Sequence, residues 1–324
     1  MIKNTIKLLL AIVLFASCNQ YEKSPSGLAY KITKGNGKEK LKHGQAIKLN
    51  IEYKLPAKDS ILSSSFEHIP VYFVLDTAHL GKYNFTELLT SVSEGDKIEF
   101  RLSIDTLKKM GMVEYNTIFH KGDFIAGKVD IIKTFPGQPE MMADYNKEVE
   151  AEKQKEIAAL KAYTDKKGIK TQSTPGGVLV EIITPGEGPK ADSGMQASVL
   201  YRGAFLDSKN AFDSNMVNGV GQPYDVVVGS HGVIPGWEEG LKLLSKGAKA
   251  RFFIPAMLAY GPQGSQPVIP PYANLSFDIQ VTDVKVPAPK AAEPAMPGAI
   301  RGDFLLYVRS KYYGFFGFLY IVYT

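Results

Sequence analysis

The chain has 324 residues, of which 44% are hydrophobic and 22% are charged, a composition typical of a globular protein with room for two domains. This composition excludes a membrane channel, a collagen and a wholly disordered chain. The 38 basic and 33 acidic residues are interleaved along the chain, so we expect no nucleic-acid partner. Five scattered histidines and a single cysteine do not have the spacing of metal ligands, so we expect no metal, and we expect no cofactor.

The first 17 residues have the layout of a secretory signal peptide. Two lysines precede an apolar run over residues 8–15, and the small residues Ala16 and Ser17 come just before Cys18. This ending resembles the lipobox of bacterial lipoproteins, which implies cleavage before Cys18 and a lipid on its sulfur. We therefore expect residues 1–17 to be a lipoprotein signal peptide, and the mature chain to be exported, anchored to a membrane of the cell envelope and facing the periplasm. An ordinary secretory signal and an uncleaved anchor are the alternatives.

After the cysteine, residues 18–26 are short and polar and are predicted to be a tether. Residues 27–136 are predicted to be a first β-rich domain, because apolar residues alternate with polar ones as in a strand with one buried face. The alternation is clearest at four positions: Ile47, Leu49, Ile51 and Tyr53.

Residues 137–167 change character and are rich in Glu, Lys and Ala. Strong helix formers with close opposite charges predict a long solvent-exposed helix that joins two domains. Apolar heptads are not sustained, which favours a spacer over a dimerisation coil.

A second β-rich domain, residues 168–286, repeats features of the first in the same order. Gly35 and Gly37 correspond to Gly186 and Gly188, and Tyr53 is matched to Tyr201. An apolar trio with i, i+4, i+7 spacing also recurs and predicts one buried helix face: Phe85, Leu89 and Val92, then Trp237, Leu241 and Leu244. The repeat predicts an α+β fold with two domains of one plan, each a twisted antiparallel β-sheet packed on a short α-helix.

Residues 287–324 fall outside this plan. The Pro- and Ala-rich part predicts an extended or disordered linker. Aromatic residues dominate the part from residue 304 onward, but its uncharged run over residues 312–324 is too short to span a bilayer. An interfacial or partner-bound segment remains open, as does a tail without function, such as a sequence read in a shifted frame. The second is favoured because the tail matches nothing in the repeat.

Several short blocks in the second domain occur in a fixed order. They are Tyr201-Arg202-Gly203, Phe212-Asp213-Ser214, Gly229, the run from Val233 to Gly240, Ala259-Tyr260-Gly261, Ile269-Pro270-Pro271 and Leu275-Ser276-Phe277. The ordered set resembles the signature of FKBP-type peptidyl-prolyl cis-trans isomerases, here in a bacterial lipoprotein form with two FKBP-like domains. The resemblance implies an enzyme that rotates Xaa-Pro bonds of exported polypeptides by a noncovalent mechanism and so assists their folding.

The same resemblance assigns roles to individual residues. Trp237 forms the floor of a proline pocket, Asp213 and Tyr260 are polar side chains at its edge, and the backbone N–H of Ile234 meets a substrate carbonyl; these four are the expected catalytic residues. The expected substrate-binding walls are Tyr201, Phe212, Tyr224, Val233, Ile269 and Phe277. Proline-containing polypeptides and macrolide-type inhibitors are the implied ligands. Any one of the aromatic residues taken alone is better explained as a core residue, so the assignment depends on the ordered set.

The first domain has the same predicted sheet and helix but lacks the FKBP-type sequence blocks of the second. Phe85 stands where Trp237 does, and Ser63 and Ser64 fall near the Phe-Asp position. We expect a degenerate FKBP-like domain without isomerase activity that serves as a spacer or as a polypeptide-binding surface. For the whole protein, the main alternative to an enzyme is a noncatalytic chaperone or assembly factor of the cell envelope, and a structural envelope lipoprotein is a third hypothesis.

Overall fold

The computed structural model describes residues 21–217, 220–265 and 267–288. The chain divides into two compact units, the first ending at Glu148 and the second beginning at Val149. The predicted signal peptide, the expected lipidation site Cys18 and the aromatic tail all lie outside the described residues. Within those residues, no helix is both long enough and apolar enough to cross a membrane.

The described part of the first unit forms a seven-stranded antiparallel sheet with the order β1-β2-β6-β7-β3-β4, in which β5 pairs with the other half of β3. The strands are β1 Glu22–Lys23, β2 Ala29–Thr33, β3 Ala46–Leu55, β4 Ser60–Ser64, β5 Val71–Val74, β6 Lys97–Ser103 and β7 Phe124–Phe135. Strand β6 has the period of two that a half-buried strand requires, with Ile98, Phe100 and Leu102 buried and the residues between them facing outward.

Short helices accompany this sheet: 3-10 helices at Pro56–Lys58 and Phe85–Ser91, and α1 at Ile104–Lys109. The predicted apolar face beginning at Phe85 is buried, but the segment is a 3-10 helix instead of the predicted α-helix. Short helical pieces readily adopt this tighter form. Here the Asn84 side chain also accepts a hydrogen bond from the Thr86 N–H at 2.8 Å, which fixes the first turn.

A single helix, α2, covers Gln138–Lys167, as predicted, but one of its faces is buried instead of exposed. In the first unit, Met141 packs into a small apolar cluster on the sheet. In the second unit, Leu160 is fully buried against Leu179 and Phe253. The helix is therefore part of the core of each unit and is more than a spacer.

The second unit repeats the sheet of the first within its described residues, with the order β11-β10-β16-β15-β9-β8 and β14 paired to β10. Its strands are β8 Gln172–Ser173, β9 Leu179–Thr184, β10 Gln196–Phe205, β11 Ala211–Ser214, β12 Met216–Val217, β13 Val220–Gly221, β14 Tyr224–Val227, β15 Lys249–Ile254 and β16 Leu275–Lys285. Strands β12 and β13 form a separate small hairpin. Helix α3 covers Pro235–Leu241, and two 3-10 helices cover Ala256–Leu258 and Gly261–Gln263. The predicted α+β fold with two domains of one plan is confirmed.

The strand register corrects one detail of the repeat. Tyr53 pairs with Gly127, whereas Tyr201 pairs with Ile279, so these two tyrosines are not equivalent. Instead, Ile51 occupies the position of Tyr201. Its N–H donates to the Ser65 hydroxyl at 2.9 Å, just as the Tyr201 N–H donates to the Asn215 side chain at 2.7 Å. The match by residue type failed because the two tyrosines lie at different distances from the β-bulge near the start of their strands. Tyr53 lies two residues further from its bulge than Tyr201 lies from the equivalent one.

Candidate functional site

The second unit contains a cavity of about 530 Å³ that is lined by residues of the sheet and of the start of helix α3. Its lining consists of Tyr201, Asp213, Tyr224, His231, Gly232, Val233, Ile234, Trp237, Tyr260 and Phe277. Aromatic and branched apolar side chains surround a few polar groups, which is the usual composition of a small-ligand pocket.

The floor of the cavity is a cluster of three aromatic rings. Trp237 lies in the first turn of α3 and is only 5% exposed. Its ring centroid is 5.0 Å from that of Tyr201 and 5.3 Å from that of Phe277, and both pairs are edge to face. Such mutually perpendicular rings are favourable contacts that also fix one another's orientation. The floor is therefore a preformed apolar surface.

Gly203 makes room for this cluster. It lies on β10 directly opposite Phe277 of β16. A Cβ atom at this position would lie 2.6 Å from the Phe277 ring and 2.8 Å from the Phe212 ring, so only glycine fits without displacing an aromatic side chain.

A hydrogen bond joins two of the polar groups at the cavity edge. The Tyr201 hydroxyl donates to a carboxylate oxygen of Asp213 at 2.8 Å. Burial, followed by this hydrogen bond to Asp213, raises the pKa of Tyr201 to about 12. Burial, followed by the charge of Asp213, also raises the pKa of Tyr260. Both phenols are therefore neutral hydrogen-bond donors beside a carboxylate at physiological pH.

Residues 231–234 line part of the cavity and present a backbone donor. Ile234 is the residue before the first turn of α3, and no acceptor in the described residues binds its N–H. The buried carboxylate of Glu238 accepts hydrogen bonds from the N–H groups of Gly229 and His231. Glu238 thus fixes the backbone that carries the free N–H of Ile234, since a carboxylate binding two N–H groups is a strong anchor.

Eight of the ten side chains predicted for the site line the cavity, and two lie behind it. Phe212 packs against Phe277 and Phe205 in the layer below, and Ile269 is 4% exposed within the core. His231 and Gly232 line the cavity although the sequence analysis did not assign them to it. Their only signal was that they immediately precede Val233 and Ile234.

The equivalent positions in the first unit are filled differently. The register places Ile51 at the position of Tyr201, Ser63 at that of Asp213 and Gly127 at that of Phe277. Tyr53, at the position of Gly203, packs edge to face on Phe100 with ring centroids 5.8 Å apart, and burial raises the pKa of its hydroxyl. The first unit therefore has its aromatic ring on β3 instead of β7. At these described positions it lacks a pair of polar side chains like Tyr201 and Asp213.

Among the described residues, no group of three or more His, Cys, Asp and Glu side chains is placed to hold a metal ion.

Comparison with known proteins agrees with this geometry. Residues 188–282 match the family model described as FKBP-type peptidyl-prolyl cis-trans isomerase. A probable FKBP-type peptidyl-prolyl cis-trans isomerase of Haemophilus influenzae is 34% identical over 171 residues, which cover 50% of this chain and 69% of that protein. The chain belongs to the FKBP-type peptidyl-prolyl cis-trans isomerase family. The resemblance inferred from the ordered blocks is thereby confirmed at the level of the family.

Two further FKBP relatives match shorter segments. The isomerase FkpA of Escherichia coli (strain K12) is 41% identical over 129 residues, which cover 40% of this chain and 44% of that protein. A 46 kDa FK506-binding nuclear protein of Spodoptera frugiperda is 38% identical over 110 residues, covering 34% of this chain and 26% of that protein. The chain thus spans less than half the length of either relative.

Proposed function

We propose that the second unit catalyses cis-trans isomerisation of Xaa-Pro bonds in polypeptides and thereby assists their folding. The observation that supports this most strongly is the set of groups around the cavity. An aromatic floor of Trp237, Tyr201 and Phe277 lies beside the Asp213 carboxylate and the free N–H of Ile234. A proline ring is apolar and compact, and it suits such a floor.

The physical task is rotation about an amide bond, which has a barrier of about 18–20 kcal/mol because resonance is lost in the twisted state. Only interactions that are stronger in the twisted state accelerate this rotation. The apolar walls remove water from the bond and so disfavour the more polar planar form. The N–H of Ile234 holds the carbonyl of the substrate, while Tyr260 and Asp213 stabilise the rotated amide. No covalent intermediate is required.

The proposal is tested with the full chain and a protein whose refolding is limited by one Xaa-Pro bond. Without a catalyst such a phase takes tens to hundreds of seconds, and we expect the chain to shorten it. Asp213→Ala should reduce the acceleration by about tenfold or more. Asp192→Ala, which alters an exposed carboxylate of the same unit, should leave it unchanged. An equal acceleration by the Asp213 variant contradicts the role of this residue, and no acceleration by the unaltered chain contradicts the proposed activity.

A noncatalytic chaperone is the second candidate, and the first unit is what favours it. That unit has the same sheet, but Ser63 and Ile51 stand where the second unit has Asp213 and Tyr201. We propose that it lacks isomerase activity and acts as a spacer or as a polypeptide-binding surface. If the chain suppresses aggregation of a proline-free client, and Asp213→Ala retains this effect, then polypeptide holding is an activity separate from isomerisation.

For the location we propose export and lipid anchoring at Cys18, with the folded units facing the periplasm. The support is the order of charged, apolar and small residues before that cysteine. Labelled fatty acid should appear on the protein and should be absent from Cys18→Ala; label on both proteins contradicts the assignment.

The apolar floor and the FKBP relationship also support binding of macrolide-type inhibitors. These inhibitors should compete with Xaa-Pro peptides for the cavity, and their affinity should fall in Trp237→Ala.

A further inference from the structure

A buried carboxylate on helix α2 contacts the segment that leads to the cavity. Glu156 is only 5% exposed, and one of its oxygens accepts a hydrogen bond from the backbone N–H of Met257 at 2.8 Å. Glu156 lies in the second unit but outside residues 188–282, the part that matches the family model. The contact therefore joins an element before the matched domain to a segment within it.

Met257 lies at the centre of a tight turn. It belongs to the 3-10 helix Ala256–Leu258, three residues before Tyr260. The turn is closed by hydrogen bonds from Leu258 N–H to Pro255 and from Ala259 N–H to Ala256, each 2.9 Å long. The Ala256 N–H in turn donates to the Asn274 side chain at 2.9 Å. Because the turn is internally bonded, a displacement of Met257 would carry the backbone of Tyr260 with it.

Packing alone does not explain a carboxylate at this position. A buried charged group is costly unless it is paired, and an apolar side chain would fill the same space without that cost. The second carboxylate oxygen of Glu156 has no partner among the described residues. Glu152, one turn earlier on the helix, is also buried, and the nearby cation is Lys155. The hydrogen bond that the carboxylate accepts from Met257 offsets part of the cost of burial, as expected if that bond has a function.

We propose that Glu156 is a positioning residue that fixes the Ala256–Leu258 turn and thereby sets the place of Tyr260 at the cavity edge. The inference rests on the proposed isomerase function and extends it to helix α2. The helix then belongs to the catalytic unit, because misplacing a reacting group by about 1 Å can lower a rate substantially.

The activity test compares variants of the full chain in an isomerisation assay. Glu156→Ala should lower kcat/KM by about fivefold, whereas Glu156→Gln, which keeps an acceptor for the Met257 N–H, should stay within about twofold of the unaltered chain. Glu150→Ala on the exposed face of the same helix is the matched control and should have no effect. Equal activity of Glu156→Ala and the unaltered chain overturns the proposal.

A double-mutant cycle separates positioning from a general loss of stability. In a Tyr260→Phe background, Glu156→Ala should lower kcat/KM by less than about twofold, because the group that it positions is already altered. The same fivefold loss in both backgrounds means that Glu156 does not act through Tyr260 and overturns the proposal.

Amide hydrogen exchange provides a readout that does not depend on activity. Exchange at the N–H of Met257 and through residues 256–260 should be faster by about tenfold in Glu156→Ala and unchanged in Glu156→Gln and Glu150→Ala. Unchanged exchange in Glu156→Ala overturns the proposal even if the chain is an active isomerase. If the unaltered chain is inactive, the proposed function fails, and the exchange result still decides whether Glu156 fixes the turn.

Discussion

Two tyrosines at the polar edge of the cavity have raised pKa values. Tyr201 donates to Asp213, and its pKa is raised to about 12, first by burial and then by that hydrogen bond. Burial also raises the pKa of Tyr260, and the charge of Asp213 raises it further. A raised phenol pKa means that the neutral donor persists to higher pH than in a free tyrosine, whose pKa is about 10.

We therefore predict that catalysis by the full chain stays constant from about pH 7 to pH 10, without a fall near the ordinary pKa of tyrosine. Tyr201→Phe should lower kcat/KM by about threefold to tenfold throughout this range, because Asp213 loses its donor. Isomerisation rates at each pH, with circular dichroism to confirm folding, measure this. A loss of activity centred near pH 9 in a fully folded protein contradicts the assignment of neutral donors.

The ordered sequence blocks were enough to predict most of the residues that line the cavity, but not all of them. Phe212 shows the limit. It adjoins Asp213 on strand β11 and packs edge to face on Phe277, yet it is not among the residues that line the cavity. Glu238 shows another limit: its contribution is to bind the backbone of Gly229 and His231, which no local pattern in the sequence reveals.

At the scale of elements, one pair of strands distinguishes the two units. In the second unit, Gly203 lies opposite the aromatic Phe277, and in the first unit the aromatic Tyr53 lies opposite Gly127. Each glycine is required by a ring that occupies the space of its Cβ atom. At Gly127 a Cβ would lie 2.0 Å from the Phe100 ring. The same strand pair thus carries its aromatic ring on β16 in the second unit and on β3 in the first.

Replacing each glycine by alanine gives a matched pair of variants. Both should destabilise their own unit by about 1–3 kcal/mol through overpacking. Gly203→Ala should also lower isomerase activity, because Phe277 lines the cavity, whereas Gly127→Ala should leave it unchanged. The single tryptophan, Trp237, reports unfolding of the second unit by fluorescence, and circular dichroism reports both. Equal loss of activity in the two variants contradicts the assignment of function to one unit.

For helix α2, the first and last residues were easier to predict than the face that is buried. Strong helix formers over residues 137–167 predict a helix that the structure places at Gln138–Lys167. Its buried face was not predictable, because that face carries glutamates as well as apolar residues. Glu152, Glu156, Leu160 and Thr164 are all buried at i, i+4 spacing, and only one of them is apolar.

Two carboxylates of helix α2, one in each unit, respond to pH in opposite directions. In the first unit, burial opposes ionisation of Asp144, but hydrogen bonds from Lys48 and Tyr72 outweigh it and lower the pKa to about 2. In the second unit, burial raises the pKa of Glu156 to about 7, and the charge of Glu152 adds to this. Each unit therefore has its own pH dependence.

Asp144 stabilises the first unit above the pKa of an unfolded aspartate, about 3.9, and this stability is lost as the pH falls toward 2. Asp144→Asn should lower the free energy of unfolding by about 1–2 kcal/mol at pH 7. The difference from the unaltered chain should shrink as the pH falls from 4 toward 2. Urea unfolding followed by circular dichroism measures both, and a difference that grows in acid contradicts the ion pair.

Glu156 has the opposite sign, because its folded pKa is raised. The stability that it contributes is fully present below the unfolded pKa, about 4.3, and is lost as the pH rises through 7. Glu156→Gln should therefore raise the free energy of unfolding of the second unit by about 1–3 kcal/mol at pH 8 and have little effect at pH 4. Tryptophan fluorescence in urea at the two pH values measures this, and destabilisation at pH 8 contradicts a buried, uncompensated carboxylate.

The two-domain plan was predictable because features repeat in order along the chain. Gly95 and Gly247 both have positive φ, and each N–H donates at 2.8 Å to the last strand of its own sheet. Strand pairing was not predictable to the residue, as the mismatch of Tyr53 with Tyr201 shows: both strands carry an equivalent bulge, and the register counted from it matches Tyr201 with Ile51, which is not an aromatic residue.

We propose that the second unit alone carries isomerase activity, and NMR exchange spectroscopy on a short Xaa-Pro peptide is the decisive measurement. With the full chain present, cis-trans exchange should be much faster than in the free peptide. Asp213→Ala combined with Tyr260→Phe should lower this rate at least about tenfold. Ser63→Ala, at the matching position of the first unit, should leave it unchanged. No acceleration by the unaltered chain, or an equal rate with the double variant, would contradict the claim.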